Sequence, residues 1–246
     1  MSSSETLINW IKKFQEENIQ CTICVDSNIG GGKSTLLELL SKNKELKLFI
    51  ELLLEPVERW QDINGNNLLH LFYNDPKKYS YIFQTMTIIT RMESHDRADK
   101  TKLIIGERSW LTDKHVFVNQ LHRDGVLSDF EYDCYNEWYH YWTSKSSIDG
   151  ILYIDTKPDE CYRRKHNLRQ RKEEESIPLS YLENLDKRHH EWLDNSKELE
   201  VQCIDGNVNF IIEINEFENI ILNISKLLEK IYKKKSKKKL VTKVIK

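Results

Sequence analysis

Residues Cys21 to Leu37 read C-T-I-C-V-D-S-N-I-G-G-G-K-S-T-L-L, a β-branched run, a glycine-dense turn and the start of a helix. That order builds a phosphate cradle. The glycines let backbone N–H groups close around an anion, and the following helix turns its positive end toward it. Asn28, Ile29, Gly30, Gly31, Gly32 and Thr35 form the turn and its exit. Lys33 reaches the outer phosphates, and the Ser34 hydroxyl is placed to ligate Mg²⁺. One position departs from the pattern. Ser27 stands where the motif has its first glycine, and serine tolerates a positive φ less readily.

Around this motif, strand-like and helix-like segments alternate, which predicts a parallel sheet with helices on both faces. Strands are expected at 19–25, 47–54, 102–106, 150–154 and 201–204. Helices are expected at 6–17, to about 40 after the glycine turn, and over 67–98 with a break near Asn74-Asp75-Pro76. Further helices are expected at 129–147, 158–171, 178–198 and about 216–235. No repeat or interdomain linker interrupts the pattern, so 1–225 reads as one domain. In such a sheet, ligands bind beyond the carboxyl ends of the strands. The second strand ends on Glu55-Pro56 and the third on Glu107-Arg108-Ser109. One carboxylate can accept a hydroxyl proton, the other can help hold Mg²⁺, and Arg108 can stabilise charge on a transferring phosphoryl group.

Composition narrows the class further. No apolar run approaches the ~20 residues of a membrane span, and Met1-Ser-Ser-Ser-Glu5 is not a secretory leader. The five cysteines are odd in number and lack the spacing of a disulfide framework, so reduced thiols and an intracellular, cytoplasmic setting are expected. Cys21 and Cys24 have the C-x-x-C spacing of a redox or zinc pair, but both lie inside the expected first strand with no second pair, and read as small buried hydrophobes. Residues 226–246 carry ten lysines and one glutamate, a formal +9, which leaves −11 on the other 225 residues. The run 233–239 is read as a solvated, disordered tail after the last helix, with a nuclear address or weak nucleic-acid tether as the alternative. No aromatic is interleaved in it to stack on bases.

Several motifs in order make the chain resemble the deoxyribonucleoside kinase family. They are N-I-G-G-G-K-S-T (28–35), E-P-V-E-R-W (55–60), G-N-N-L-L-H-L-F-Y-N-D-P (65–76) and F-Q-T (83–85). E-R-S (107–109), R-Q-R-K-E-E (169–174), I-P-L-S-Y-L (177–182) and H-E-W-L (190–193) follow. The resemblance covers residues 20–215 and implies a P-loop kinase fold: a five-stranded parallel sheet, helices on both faces and a helical lid. It implies transfer of the ATP γ-phosphate to the 5′-hydroxyl of a deoxynucleoside, with Mg²⁺ and usually as a homodimer. The aromatic stretch 130–142 is a candidate dimer surface and equally a candidate core.

The resemblance also implies roles. Glu55 matches the general base, and Arg108 the arginine near the 5′-oxygen, with Glu107 close to Mg²⁺. Tyr73 and Glu174 match the pair on the sugar 3′-hydroxyl, and Gln84 the amide on the base edge. Trp60, Phe72 and Phe117 match the walls around the base. Arg169 and Arg171 match lid arginines that close over the phosphates, and Asp205 opens the loop bordering the adenine. Having both Arg91 and Asp113 matches the branches that accept deoxycytidine and purine deoxynucleosides, where this pair narrows the base pocket; the alternatives are a thymidine-active or broad enzyme, or a surface salt bridge. Met86, usually tyrosine in relatives, and Lys165, often arginine, are departures. His190 and Glu191 read as structural hydrogen-bonding groups. A nucleoside monophosphate kinase, a non-catalytic nucleotide-binding protein and a nucleic-acid-binding protein are the competing classes.

Overall fold

Thr22–Asp26 is buried at every residue, the signature of a strand covered on both faces. In the computed structural model this strand, β1, is the centre of the sheet. The description covers residues 2–244 except 170, 198 and 209–213, and excludes the side chains of 169, 214 and 238–244. The remaining strands are β2 (Ile50–Leu53), β3 (Leu103–Glu107), β4 (Gly150–Asp155) and β5 (Glu200–Asp205). All pair in parallel, in the order β2-β3-β1-β4-β5. This is the five-stranded α/β sheet of a P-loop kinase.

The helices are α1 (Ser3–Glu16), α2 (Lys33–Lys42), α3 (Val57–Gln61), α4 (Leu68–Asn74), α5 (Pro76–Arg97), α6 (Trp110–Thr112) and α7 (Asn119–Arg123). They continue as α8 (Asp129–Thr143), α9 (Pro158–Arg164), α10 (Leu179–Asn195) and α11 (Ile214–Val244). Two apolar clusters lie on the sheet's two faces. One joins α1, α2 and α11 through residues such as Leu7, Leu36, Leu37, Ile224 and Leu228. The other gathers Ile88, Met92, Tyr135, Leu182 and Trp192. Cys21 belongs to the first cluster and Cys24 to the second, so the C-x-x-C pair straddles the sheet and cannot act as one dithiol. Among the described residues no helix is long and apolar enough to cross a membrane.

Differences from the expected elements have local causes. The strand expected at 47–54 begins only at Ile50, because Leu46–Leu48 forms a 3-10 turn. The break before Pro76 is present, with the Asp75 side chain capping α5 at Lys78 N. The segment after E-R-S, unassigned from sequence, is helical: a π-helical stretch, Asp113–Val118, joins α6 to α7. The lid segment is α9, a π-helical turn (Lys165–Arg169) and a 3-10 turn (Lys172–Glu174). The expected disordered tail is corrected as well. Helix α11 runs to Val244, so the lysine run continues it. Leu227, Leu228 and Ile231 bury its inner face, while Lys234 pairs with Glu200 at 3.1 Å and Lys235 with Asp149 at 2.7 Å.

Candidate active site

The glycine turn sits at the carboxyl end of β1, whose sheet neighbours are β3 and β4 and not β2, the next strand in the chain. Gly30 has φ 81°, and a Cβ there would stand 2.5 Å from the Cys161 carbonyl oxygen. Gly31 is needed for a different reason. A Cβ on it would meet Ser27 Oγ at 1.8 Å, so the Ser27 side chain fills the space a larger residue at 31 would use. Ser27 itself has no positive φ, and its backbone does not strain the loop entry. Distant elements hold the turn. Asn28 Nδ2 donates to Leu182 O on α10 at 2.8 Å, and Thr156 Oγ1 to Gly31 O at 3.0 Å.

A fully buried network anchors the loop from below. Asp26 Oδ1 accepts the Ser27 N–H at 2.8 Å and lies 3.3 Å from His189 Nε2, while Oδ2 accepts the Thr112 hydroxyl at 2.5 Å. Asp26 and His189 are both 0% exposed. Burial pushes the Asp26 carboxyl up, but the hydrogen bonds and charge from His189, together with Arg108 and Thr112, outweigh it and hold it low. Nothing in the sequence marks this network, because its members are up to 163 residues apart.

Lys33 is buried and turned back onto its own loop, donating to Ser27 O at 3.1 Å and Asn28 O at 2.8 Å. Burial, reinforced by Arg108, lowers its ammonium to about 7. Ser34 Oγ donates to Glu107 Oε1 at 2.6 Å, which joins the two groups expected at the metal. A hydroxyl and a carboxylate oxygen are hard donors of the kind Mg²⁺ takes. Thr35 lies in the first turn of α2.

Glu55 is the hub. Its Oε1 accepts Arg91 Nη2 at 2.6 Å and Arg108 Nη1 at 2.8 Å, and among the described residues no protein donor reaches Oε2. Burial raises the Glu55 carboxyl, yet Arg108, Arg91 and Lys33 hold it well below the usual carboxylate range. Arg108 has φ 60°, unusual for a residue with a Cβ, as happens where a functional geometry is imposed. Its Nε and Nη2 are buried without a hydrogen-bond partner among the described residues, so two donors stay available beside Glu55. Arg91 also bonds Asp113 Oδ2 at 2.8 Å and Glu107 O at 2.7 Å. With side chains 8% and 3% exposed, the Arg91–Asp113 pair is buried, and the surface-bridge alternative falls.

Glu55, Arg91, Arg108 and Asp113 line one cleft, open to solvent. Trp60, Phe72, Tyr73, Gln84, Phe117, Arg171 and Glu174 line it with them, as does Ile29 of the phosphate loop. Phe72 stacks on Phe83 at 4.6 Å, Trp60 meets Phe83 edge-on at 5.5 Å, and Arg108 lies over the Phe117 ring at 4.9 Å. Burial and the Glu174 charge push the Tyr73 phenol well up, so it remains a hydrogen-bond donor. Lys165 ties the lid base by donating to Glu174 O at 2.7 Å and Ile177 O at 2.8 Å. Phe83 and Tyr181 also line the cleft; both lie inside the F-Q-T and I-P-L-S-Y-L motifs, which was the available signal.

Asp205 stands apart from the cleft. Asp205 ends β5 and accepts from Asn207 N at 2.8 Å; the following Gly206 lies against Thr156, on the outer flank of the phosphate loop. Arg169 closes the π-helical turn, and its side chain is outside the described residues. His190 is 3.6 Å from Asp155 and 3.9 Å from Asp186, too far for the hydrogen bonds expected of it, while Glu191 pairs with Arg188 at 2.7 Å.

Comparison with known proteins adds an independent line. The family model described as deoxynucleoside kinase matches residues 23–229. A fowlpox virus protein named Probable deoxycytidine kinase is 37% identical over 243 residues, 94% of this chain and 100% of the relative. Human mitochondrial thymidine kinase 2 is 36% identical over 184 residues, 74% of this chain and 67% of that protein. Human deoxycytidine kinase is 28% identical over 242 residues, 84% of this chain and 90% of that protein.

Proposed function

The chain belongs to the deoxynucleoside kinase family, and from that premise we propose how its residues divide the work and which bases it accepts. The reaction is transfer of the ATP γ-phosphoryl group to the 5′-hydroxyl of a deoxynucleoside. The observation that carries the assignment is Glu55: two arginines occupy one carboxylate oxygen and leave the other for a hydroxyl proton. Held ionised, Glu55 accepts the 5′-hydroxyl hydrogen bond and takes the proton as the phosphoryl group arrives. Arg108 turns its two unbonded donors onto the charge spreading over the transferring oxygens. Lys33 leaves its loop carbonyls for the outer phosphates. Ser34 and Glu107 are the residues that would hold Mg²⁺, which would neutralise phosphate charge. Arg171, Arg169 and Asp205 serve the ATP side. Closing the segment 158–174 over the phosphates excludes water and so suppresses ATP hydrolysis.

Tyr73 and Glu174 hold the sugar 3′-hydroxyl, and Gln84 reads the base edge between Trp60, Phe72 and Phe117. The buried Arg91–Asp113 pair beside that pocket favours deoxycytidine, deoxyadenosine and deoxyguanosine over thymidine. We assign the protein to an intracellular setting and to a homodimer joined through α8, which fully buries only Tyr135 and exposes Phe130, Trp138 and Tyr141. Coupled ADP release with Mg-ATP on four deoxynucleosides and thymidine monophosphate tests the reading. Three deoxynucleosides turning over faster than thymidine supports it. Thymidine as best substrate removes the base assignment, and the monophosphate as best substrate removes the acceptor assignment.

A further inference from the structure

Asp155, Asp186 and His190 belong neither to the phosphate loop nor to the nucleoside cleft. Asp155 ends β4, while Asp186 and His190 are one turn apart on α10 and therefore share a helix face. His190 Nε2 stands 3.6 Å from Asp155 Oδ1 and 3.9 Å from Asp186 Oδ1, and one ligand atom from each residue lies within 4.8 Å of the others. These spacings are too long for hydrogen bonds. They approach the about 3.4 Å that separates donors around one tetrahedral ion at zinc–ligand bond lengths.

A second observation comes from beneath the cluster. Tyr153 precedes Asp155 by two residues on β4, so both side chains leave the same face of the sheet. Tyr153 is 1% exposed; its ring stacks on His189 at 5.5 Å and meets His190 edge-on at 5.7 Å. Its hydroxyl is buried with no hydrogen-bond partner among the described residues, and the charges acting on it most strongly are Asp186 and then Asp155. Asp186 Oδ1 is likewise buried without a hydrogen bond. A phenol O–H and an Asp186 oxygen, both buried and both without a hydrogen bond among the described residues, are polar groups that call for a partner from outside the chain.

We propose that Asp155, Asp186 and His190 form a second cation site, separate from Ser34 and Glu107, that takes a divalent transition ion of the Zn²⁺ or Mn²⁺ class, with the Tyr153 hydroxyl donating to a ligand oxygen or ion-bound water. The imidazole selects against Mg²⁺ and Ca²⁺, which prefer all-oxygen sites. The ion ties α10 to the end of β4, next to Thr156 and its bond to Gly31 O. Its expected effect is therefore on stability, not on the chemical step.

The test uses the full chain, treated with chelator and dialysed against Zn²⁺, without nucleotide. The wild type and Ser34→Ala should each retain one equivalent and gain several degrees in Tm, with no gain from equimolar Mg²⁺. His190→Ala and Asp155→Asn should lose both the ion and the gain while matching the metal-free wild type in Tm. Three results overturn the proposal: no retained Zn²⁺, equal retention by His190→Ala and Asp155→Asn, or an equal gain with Mg²⁺.

Discussion

The fit between Ser27 and Gly31 makes a sharp prediction about the phosphate loop. A methyl group on residue 31 would lie 1.8 Å from Ser27 Oγ, 2.9 Å from Ser27 Cβ and 3.1 Å from Asn28 O. Rotating the hydroxyl relieves only the first contact, and Ser27 is 0% exposed, so the side chain has nowhere to go. Gly31→Ala alone should therefore cost about 1–3 kcal/mol of stability, the range for overpacking a filled interior. Ser27→Gly alone should be mild. It removes a buried hydroxyl with no partner, a gain that offsets the lost packing and the added freedom of the unfolded chain. In the double variant only the 3.1 Å contact remains. The two changes should then couple by about 1–3 kcal/mol, so that Ser27→Gly raises the Tm of Gly31→Ala by several degrees. Thermal unfolding of the four proteins gives the coupling, and kcat/KM for ATP should follow the same order. Additivity within about 0.5 kcal/mol would refute the reasoning.

Three other outcomes are expected. Lys33 titrates near 7 in the free protein, and bound phosphate favours its charged form, so ATP binding takes up a proton above that pH and affinity falls as pH rises. Calorimetry at pH 8 in two buffers of different ionisation enthalpy should find uptake approaching one proton per ATP, absent in Lys33→Met; zero uptake in the wild type contradicts it. Arg91→Met with Asp113→Ala removes the buried pair together, but also one of the two cations on Glu55. Turnover of deoxycytidine should fall about tenfold or more, while the thymidine-to-deoxycytidine ratio rises; an unchanged or lower ratio counts against pocket narrowing. Removing residues 233–246 takes away the ion pairs from Lys234 to Glu200 and Lys235 to Asp149. Half-exposed pairs are worth about 0–1 kcal/mol each, so Tm should drop by only a few degrees, and a drop beyond ten degrees would show that the helix end carries more than these contacts.

The parts legible in the sequence are those written locally. The phosphate loop, Glu55 before its proline and the E-R-S turn each announce themselves within a few residues, and strand-end logic brings them to one edge of the sheet. Arg91 and Asp113 could be paired from the family motifs, but their link to Glu55 could not, because Arg91 reaches three partners on separate segments. The Asp26–His189–Thr112 network was hidden for the same reason. The lysine run misled because charge was read without its register. Lysine is a good helix former, and Leu227, Leu228 and Ile231 supply a buried stripe that carries α11 onward. The stretch 110–123 lacks clean helical periodicity because its middle is π-helical, which shifts each side chain's phase.

Glu55, in the proposed reaction, takes the proton from a deoxynucleoside 5′-hydroxyl. Glu55→Gln keeps an oxygen for Arg91 and Arg108 while removing the base, so folding and nucleoside binding should persist. With saturating Mg-ATP and deoxycytidine, kcat should fall about 10²- to 10⁴-fold with little change in the KM for deoxycytidine or in Tm. A variant that turns over at the wild-type rate, or a wild-type protein that phosphorylates no deoxynucleoside, would contradict it.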